Sequence, residues 1–116
     1  MNSNFVKPRY DSGGFAHLPH YIKEVFEKKE YKKVLFFLID GFGWRFYEEY
    51  KTHPFFVELA KHGSVRKITS QFPSTTAVHV TTWHTDLPVG ESGVLEWQYY
   101  EPKLDAIFAS LLFSYA

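Results

Sequence analysis

An α/β fold with a largely parallel sheet is predicted by three features of the sequence. The apolar run Val34 to Ile39 has the length and β-branched content of a strand buried on both faces. Helical spacing of apolar residues lies on both sides of it, and the order strand, turn, helix occurs twice, in "VLFFLIDGFGW" and in "ITSQFPSTTAVHVTTW". Helices alternating with buried strands form the layered α/β pattern.

The totals bound the size and chemistry of that fold. At 116 residues, with 20% aromatic side chains, the chain has the length and composition of one globular domain. Its formal net charge is zero, so no broad field draws nucleic acid or an anionic membrane surface, and the expected partner is small. There is no cysteine, which removes disulfides and thiolate metal sites and leaves His, Asp, Glu and hydroxyl groups as ligands. The amino terminus "MNSNFVKPRYDSGG" carries no apolar signal region, and the run 34–39 is far too short to cross a bilayer. The expectation is a soluble, cytoplasmic protein.

The elements follow in order. Residues 1–14 read as an irregular lead-in. From Phe15 to about Lys29, Leu18, Ile22, Val25 and Phe26 recur at helical spacing over a Lys/Glu face. After the central strand, a helix is expected from Gly43 to about His62. It is broken at His53-Pro54, because a residue before proline is pushed out of the α region, and Gly63 ends it as the residue after its C-cap. "SVRKITSQF" alternates imperfectly at Val65, Ile68, Ser70 and Phe72 and makes a second strand. Pro73 and "STTAVHVTTWHT" then open a helix with Ser and Thr where an N-cap belongs. "DLPVGESG" reads as a loop and "VLEWQYYEP" as an edge strand or hairpin. The chain stops inside the apolar "DAIFASLLFSYA" with no cap, which points to a continuation beyond this sequence.

Ligands of open parallel sheets gather beyond the carboxyl ends of strands, where Asp40 and the "FPSTT" turn both fall. A carboxylate closing a buried strand is costly to desolvate unless it is paired or holds a cation, and Gly41 and Gly43 let the backbone turn tightly around an occupant. The same dipeptide also makes an ordinary turn or cap. A hydroxyl in the first turn of a helix sits at the positive end of its dipole beside backbone N–H groups, which suits phosphate or an alkoxide; it also describes a common N-cap. His79, three residues beyond Thr76, shares its helix face and is a candidate phosphate donor or metal ligand. The other histidines and Trp44, Trp83 and Trp97 read as surface or packing residues.

Together, "LFFLIDGFGW" and "ITSQFPSTTAVHVTTWHTDLPVGESGVLEW" resemble the N-terminal part of the alkaline phosphatase superfamily, in its type I phosphodiesterase/nucleotide pyrophosphatase branch. The resemblance implies a three-layer sandwich, a largely parallel sheet between helices, of which residues 1–116 supply only the N-terminal part. It implies two divalent metal ions, usually zinc, and a small phosphorylated substrate, a nucleotide or phosphodiester. The metal-binding aspartate falls on Asp40, and the threonine that is both nucleophile and metal ligand falls on Thr76. His79 stands where the branch often has an asparagine that contacts phosphate, and Asp86 where it often has a glycine, in a turn that needs positive φ. The remaining metal ligands of the family come from later sequence, so residues 1–116 alone are expected to be inactive. The alternative is a non-catalytic α/β fragment or anion-binding domain without turnover, in which Asp40 and Ser74 are caps.

Overall fold

The computed structural model describes residues 5–29, 31–112 and 114–115; the first four residues of the expected lead-in lie outside them. The order is a 3-10 turn Phe15–His17, α1 Leu18–Glu27, α2 Trp44–Tyr50, α3 Pro54–His62, α4 Thr76–Thr85, α5 Val89–Ser92, then β1 Gln98–Glu101, β2 Ala106–Ala109 and β3 Ser114–Tyr115. The chain divides into two units, one made of residues 1–34 and 68–116 and the other of Leu35–Lys67.

In the first unit, α1 begins with proline in its opening turn, where a missing N–H costs nothing. Gly14 forms a single parallel bridge with Thr69, fixed by Phe15 N–H to the Thr69 carbonyl at 2.9 Å and Thr69 N–H to the Gly13 carbonyl at 3.0 Å. The Arg9 N–H adds a bond to Thr69 Oγ1 at 2.8 Å. The lead-in therefore lies along the segment "ITSQF", which keeps this bridge and forms no longer strand. The lead-in also folds back on itself at Gly14, where a Cβ would stand 1.7 Å from the Arg9 carbonyl oxygen.

The small core packs around α4. Phe15, Ala77, Val78 and Val89 are its buried apolar residues, joined by Gln71 and Thr82, and Ala109 is buried on the hairpin. After α4 the chain reverses at Asp86, left-handed at φ 59°, the conformation expected where the family has glycine. Strands β1 and β2 form the expected hairpin, with Gln98 opposite Ala109 and Tyr99 opposite Phe108, and β3 pairs antiparallel to β2. Tyr99 and Phe108 meet edge to face at 6.1 Å. Tyr100 donates its hydroxyl to Asp105 Oδ1 at 2.6 Å across the turn.

The 35–67 unit is the expected broken helix. His53 leaves the helical region at ψ 137°, and its ring caps α3 by accepting from the Phe55 N–H. Gly63 ends α3 in extended backbone, at φ −151° and ψ −164°, rather than left-handed. Phe42, Phe46, Tyr47 and Phe56 stack or meet edge to face at 5.6–6.1 Å, and Lys67 Nζ lies 5.9 Å over the Trp44 ring.

The described residues differ from two expectations about strands. Val34 to Ile39 is assigned to no strand among the described residues, and Leu35 and Phe37 are 78% and 79% exposed. A strand is stable only when neighbours take up its N–H and C=O groups and cover its faces. The sheet that does form is antiparallel, of three strands. The fold is thus a set of helices with a small antiparallel sheet.

Candidate functional site

Thr76 is the first residue of α4. Thr75 is the N-cap, at φ −115° and ψ 156°, its hydroxyl accepting from the Val78 N–H, within the Ser/Thr run where a cap was expected; it is Thr75 and not the Ser74 of the non-catalytic alternative. The Phe72–Pro73 peptide that leads into the turn is cis. Thr76 is half-buried at the positive end of the helix.

His79 is half-buried against Phe15, their rings edge to face at 4.6 Å. Its Nδ1 lies 2.7 Å from the Thr75 carbonyl and its Nε2 3.1 Å from the Gln71 backbone N–H. A carbonyl can only accept and an amide N–H can only donate, so the ring is neutral with its proton on Nδ1. Both ring nitrogens hold backbone partners in this arrangement.

Asp40 sits in the other unit, and its surroundings are those of an exposed turn. The Phe42 N–H approaches the Ile39 carbonyl at 3.4 Å, Gly41 occupies φ 71°, and Asp40 Oδ1 accepts from the Gly41 N–H at 3.0 Å. Space around Gly41 is open. Glycine is thus required there by the backbone conformation and not by crowding.

A zinc ion in a catalytic centre takes about three protein ligands. Among the described residues, no group of three or more His, Cys, Asp or Glu side chains is assembled to hold a metal ion. Asp40 and Thr76 alone do not complete such a donor set. No helix among the described residues is long and apolar enough to cross a membrane.

One residue of this region escaped the sequence reading. Gln71 is 1% exposed, while its neighbour Phe72 is 72% exposed, the reverse of the alternation expected from Val65 to Phe72. Its side chain donates to Thr82 Oγ1 at 2.9 Å and accepts from the Val89 N–H at 3.0 Å; Thr82 in turn donates to the Leu87 carbonyl at 2.8 Å. The pairing of Gln71 with Thr82, eleven residues on, is not local, and no hydrophobic period marks a buried amide.

Searches of curated proteins and of solved structures each found no match. The profile of the type I phosphodiesterase / nucleotide pyrophosphatase family matches residues 34–110, a span that holds both Asp40 and the Gln71-to-Val89 region around Thr76. With two-thirds of its length matched, the chain belongs to the type I phosphodiesterase/nucleotide pyrophosphatase family, within the alkaline phosphatase superfamily.

Proposed function

We propose that this chain carries the nucleophile of a metal-dependent phosphodiester hydrolase acting on a small nucleotide or phosphodiester, and that the nucleophile is Thr76. The observation that carries the reading is the position of Thr76: within the family match, half-buried, at the first residue of α4. A phosphoryl group approaching there meets the positive end of a helix, which favours the developing negative charge on hydroxyl and phosphate alike. In the first step the Thr76 Oγ–P bond forms, the bond from phosphorus to the leaving oxygen breaks, and the hydroxyl proton passes to solvent. Water then cleaves the phosphothreonine and restores the hydroxyl.

In this reading Val34 to Ile39 becomes a strand of a largely parallel sheet in a three-layer sandwich, the rest of which is supplied by residues beyond these 116. Asp40 at its end and Thr76 are assigned as ligands of the divalent ions, of which zinc is the leading candidate. The other donors also come from beyond this chain, and no step is assigned to the metals. His79 is assigned to the substrate side by its place one turn beyond Thr76. Donation from Nε2 to a phosphate requires release of the Gln71 N–H and a proton on that nitrogen.

The test is hydrolysis of bis(para-nitrophenyl) phosphate by the chain joined to its downstream coding sequence. Turnover is expected to vanish in Thr76→Ala and to survive in part in Thr76→Ser. Undiminished turnover in Thr76→Ala would sink the proposal. The exposed Asp-Gly turn at Asp40 favours a second reading, a domain without catalysis. Zinc content separates the two: loss of bound zinc on Asp40→Ala supports the hydrolase, and no stoichiometric zinc in either protein supports the second reading.

A further inference from the structure

We infer that Gln71 is a positioning residue for Thr76, acting through the ring of His79; this rests on the assignment of Thr76 as nucleophile. A fully buried amide is retained only when its donors and acceptors find partners. The Gln71 side chain meets that condition with Thr82 in the body of α4 and the Val89 N–H at the start of α5, while its backbone N–H goes to His79. No buried side-chain N or O atom among the described residues lacks a partner.

The bonds form a chain that ends at the nucleophile. The side chain of Gln71, held by Thr82 and Val89, fixes where its own backbone stands. The Gln71 N–H then points at His79 Nε2, which places the ring proton on Nδ1 and aims it at the Thr75 carbonyl. That carbonyl, which also accepts the His79 backbone N–H at 3.3 Å, belongs to the peptide plane that ends in the nitrogen and Cα of Thr76, so fixing its direction fixes where the Thr76 Cα stands. The Phe72–Val78 turn is thereby closed at its base, with Phe15 packed against the ring that closes it.

Ring 15N NMR on the 116-residue chain reads this directly. In the wild type, Nδ1 of His79 should be protonated and Nε2 an unprotonated acceptor. Gln71→Glu keeps an acceptor for Val89 but has no N–H for Thr82, and is expected to populate both tautomers and shift the Thr76 amide resonance. Thr82→Val should do the same, whereas Thr82→Ser, which keeps the hydroxyl, should restore the wild-type signature. In the extended protein, Gln71→Glu should lower kcat for bis(para-nitrophenyl) phosphate by about tenfold to a hundredfold with KM changed less than about threefold, the scale of a displaced reacting group. A wild-type His79 protonated on Nε2 overturns the inference without any variant. So does Gln71→Glu with unchanged His79 and Thr76 signals, or with unchanged kcat. If the wild-type extended protein hydrolyses nothing, the nucleophile assignment fails, and the NMR signatures still decide whether Gln71 sets the geometry of the turn.

Discussion

Replacing Thr82 by valine removes one oxygen atom from the centre of the larger unit while nearly keeping its shape. The structure says what that oxygen does: it accepts from Gln71 Nε2 at 2.9 Å and donates to the Leu87 carbonyl at 2.8 Å. Both Thr82 and Gln71 are buried, so the Gln71 N–H left behind has no water to turn to, at about 1–3 kcal/mol. The Leu87 carbonyl belongs to an exposed residue and regains hydration, adding at most about 0.5 kcal/mol. The new methyl group recovers somewhat under about 0.8 kcal/mol by burial. The net loss is about 2 kcal/mol, or roughly 10 °C in Tm for a domain of this size. Urea unfolding followed by circular dichroism should show a lower midpoint at unchanged slope. Thr82→Ser, which keeps the hydroxyl, should lose only about 1 kcal/mol for the missing methyl. A Thr82→Val protein within about 0.5 kcal/mol of wild type, or a serine variant damaged as much as the valine variant, would refute the assignment of the loss to the buried hydrogen bonds.

Gly14→Ala should be among the most damaging single substitutions outside the family match, because its Cβ would meet the backbone of Arg9 at 1.7 Å; thermal unfolding should show the Tm falling well below that of Gly13→Ala, whose nearest neighbour is a flexible Arg9 side chain. Thr75→Ala should cost about 1 kcal/mol as the loss of an N-cap, and Ser74→Ala less than about 0.5, a contrast measurable in the same urea experiment. The hydrogen bond from the Arg9 guanidinium and a second from the Gly13 N–H hold the Asp11 carboxyl below its ordinary value. Its pKa is depressed in the folded state, so its contribution is present at neutral pH and is lost as the pH falls through that lowered value; Asp11→Asn should flatten the acid limb of a stability profile below about pH 4. Asp86→Gly, at a left-handed position, should leave stability equal or raise it by up to about 1 kcal/mol in calorimetry.

Four of the helices were readable because their signals are local, whereas the short α5 falls in the stretch "DLPVGESG" that reads as a loop. Pro54 dictated where the broken helix restarts, the Ser/Thr run dictated where α4 begins, and the aromatic and polar stretch "VLEWQYYEP" suited an edge strand or hairpin, of which β1 is the first strand. Val34 to Ile39 shows the limit of such reading. An apolar run declares a demand for burial but not the identity of what covers it, and a strand is a property of its neighbours as much as of its own residues. A run of Ser and Thr marks where the cap falls without choosing among its hydroxyls, and the structure gives it to Thr75. Gln71 was missed for a different reason. Its alternation phase is set by a threonine in the next helix and an amide beyond it, long-range partners that a period of two does not encode. The place of Thr76 at the head of α4 was readable from the turn before it.

The bridge between Gly14 and Thr69 bears on how this protein should be cut. The recognisable family sequence begins at residue 34, and an expression clone trimmed to that boundary would discard the Gly13 and Phe15 backbone groups that pair with Thr69 and the aromatic ring that seats His79. Motif recognition and mechanical integrity thus have different borders, and the shortest piece worth purifying starts near Arg9, some twenty-five residues before the family becomes visible.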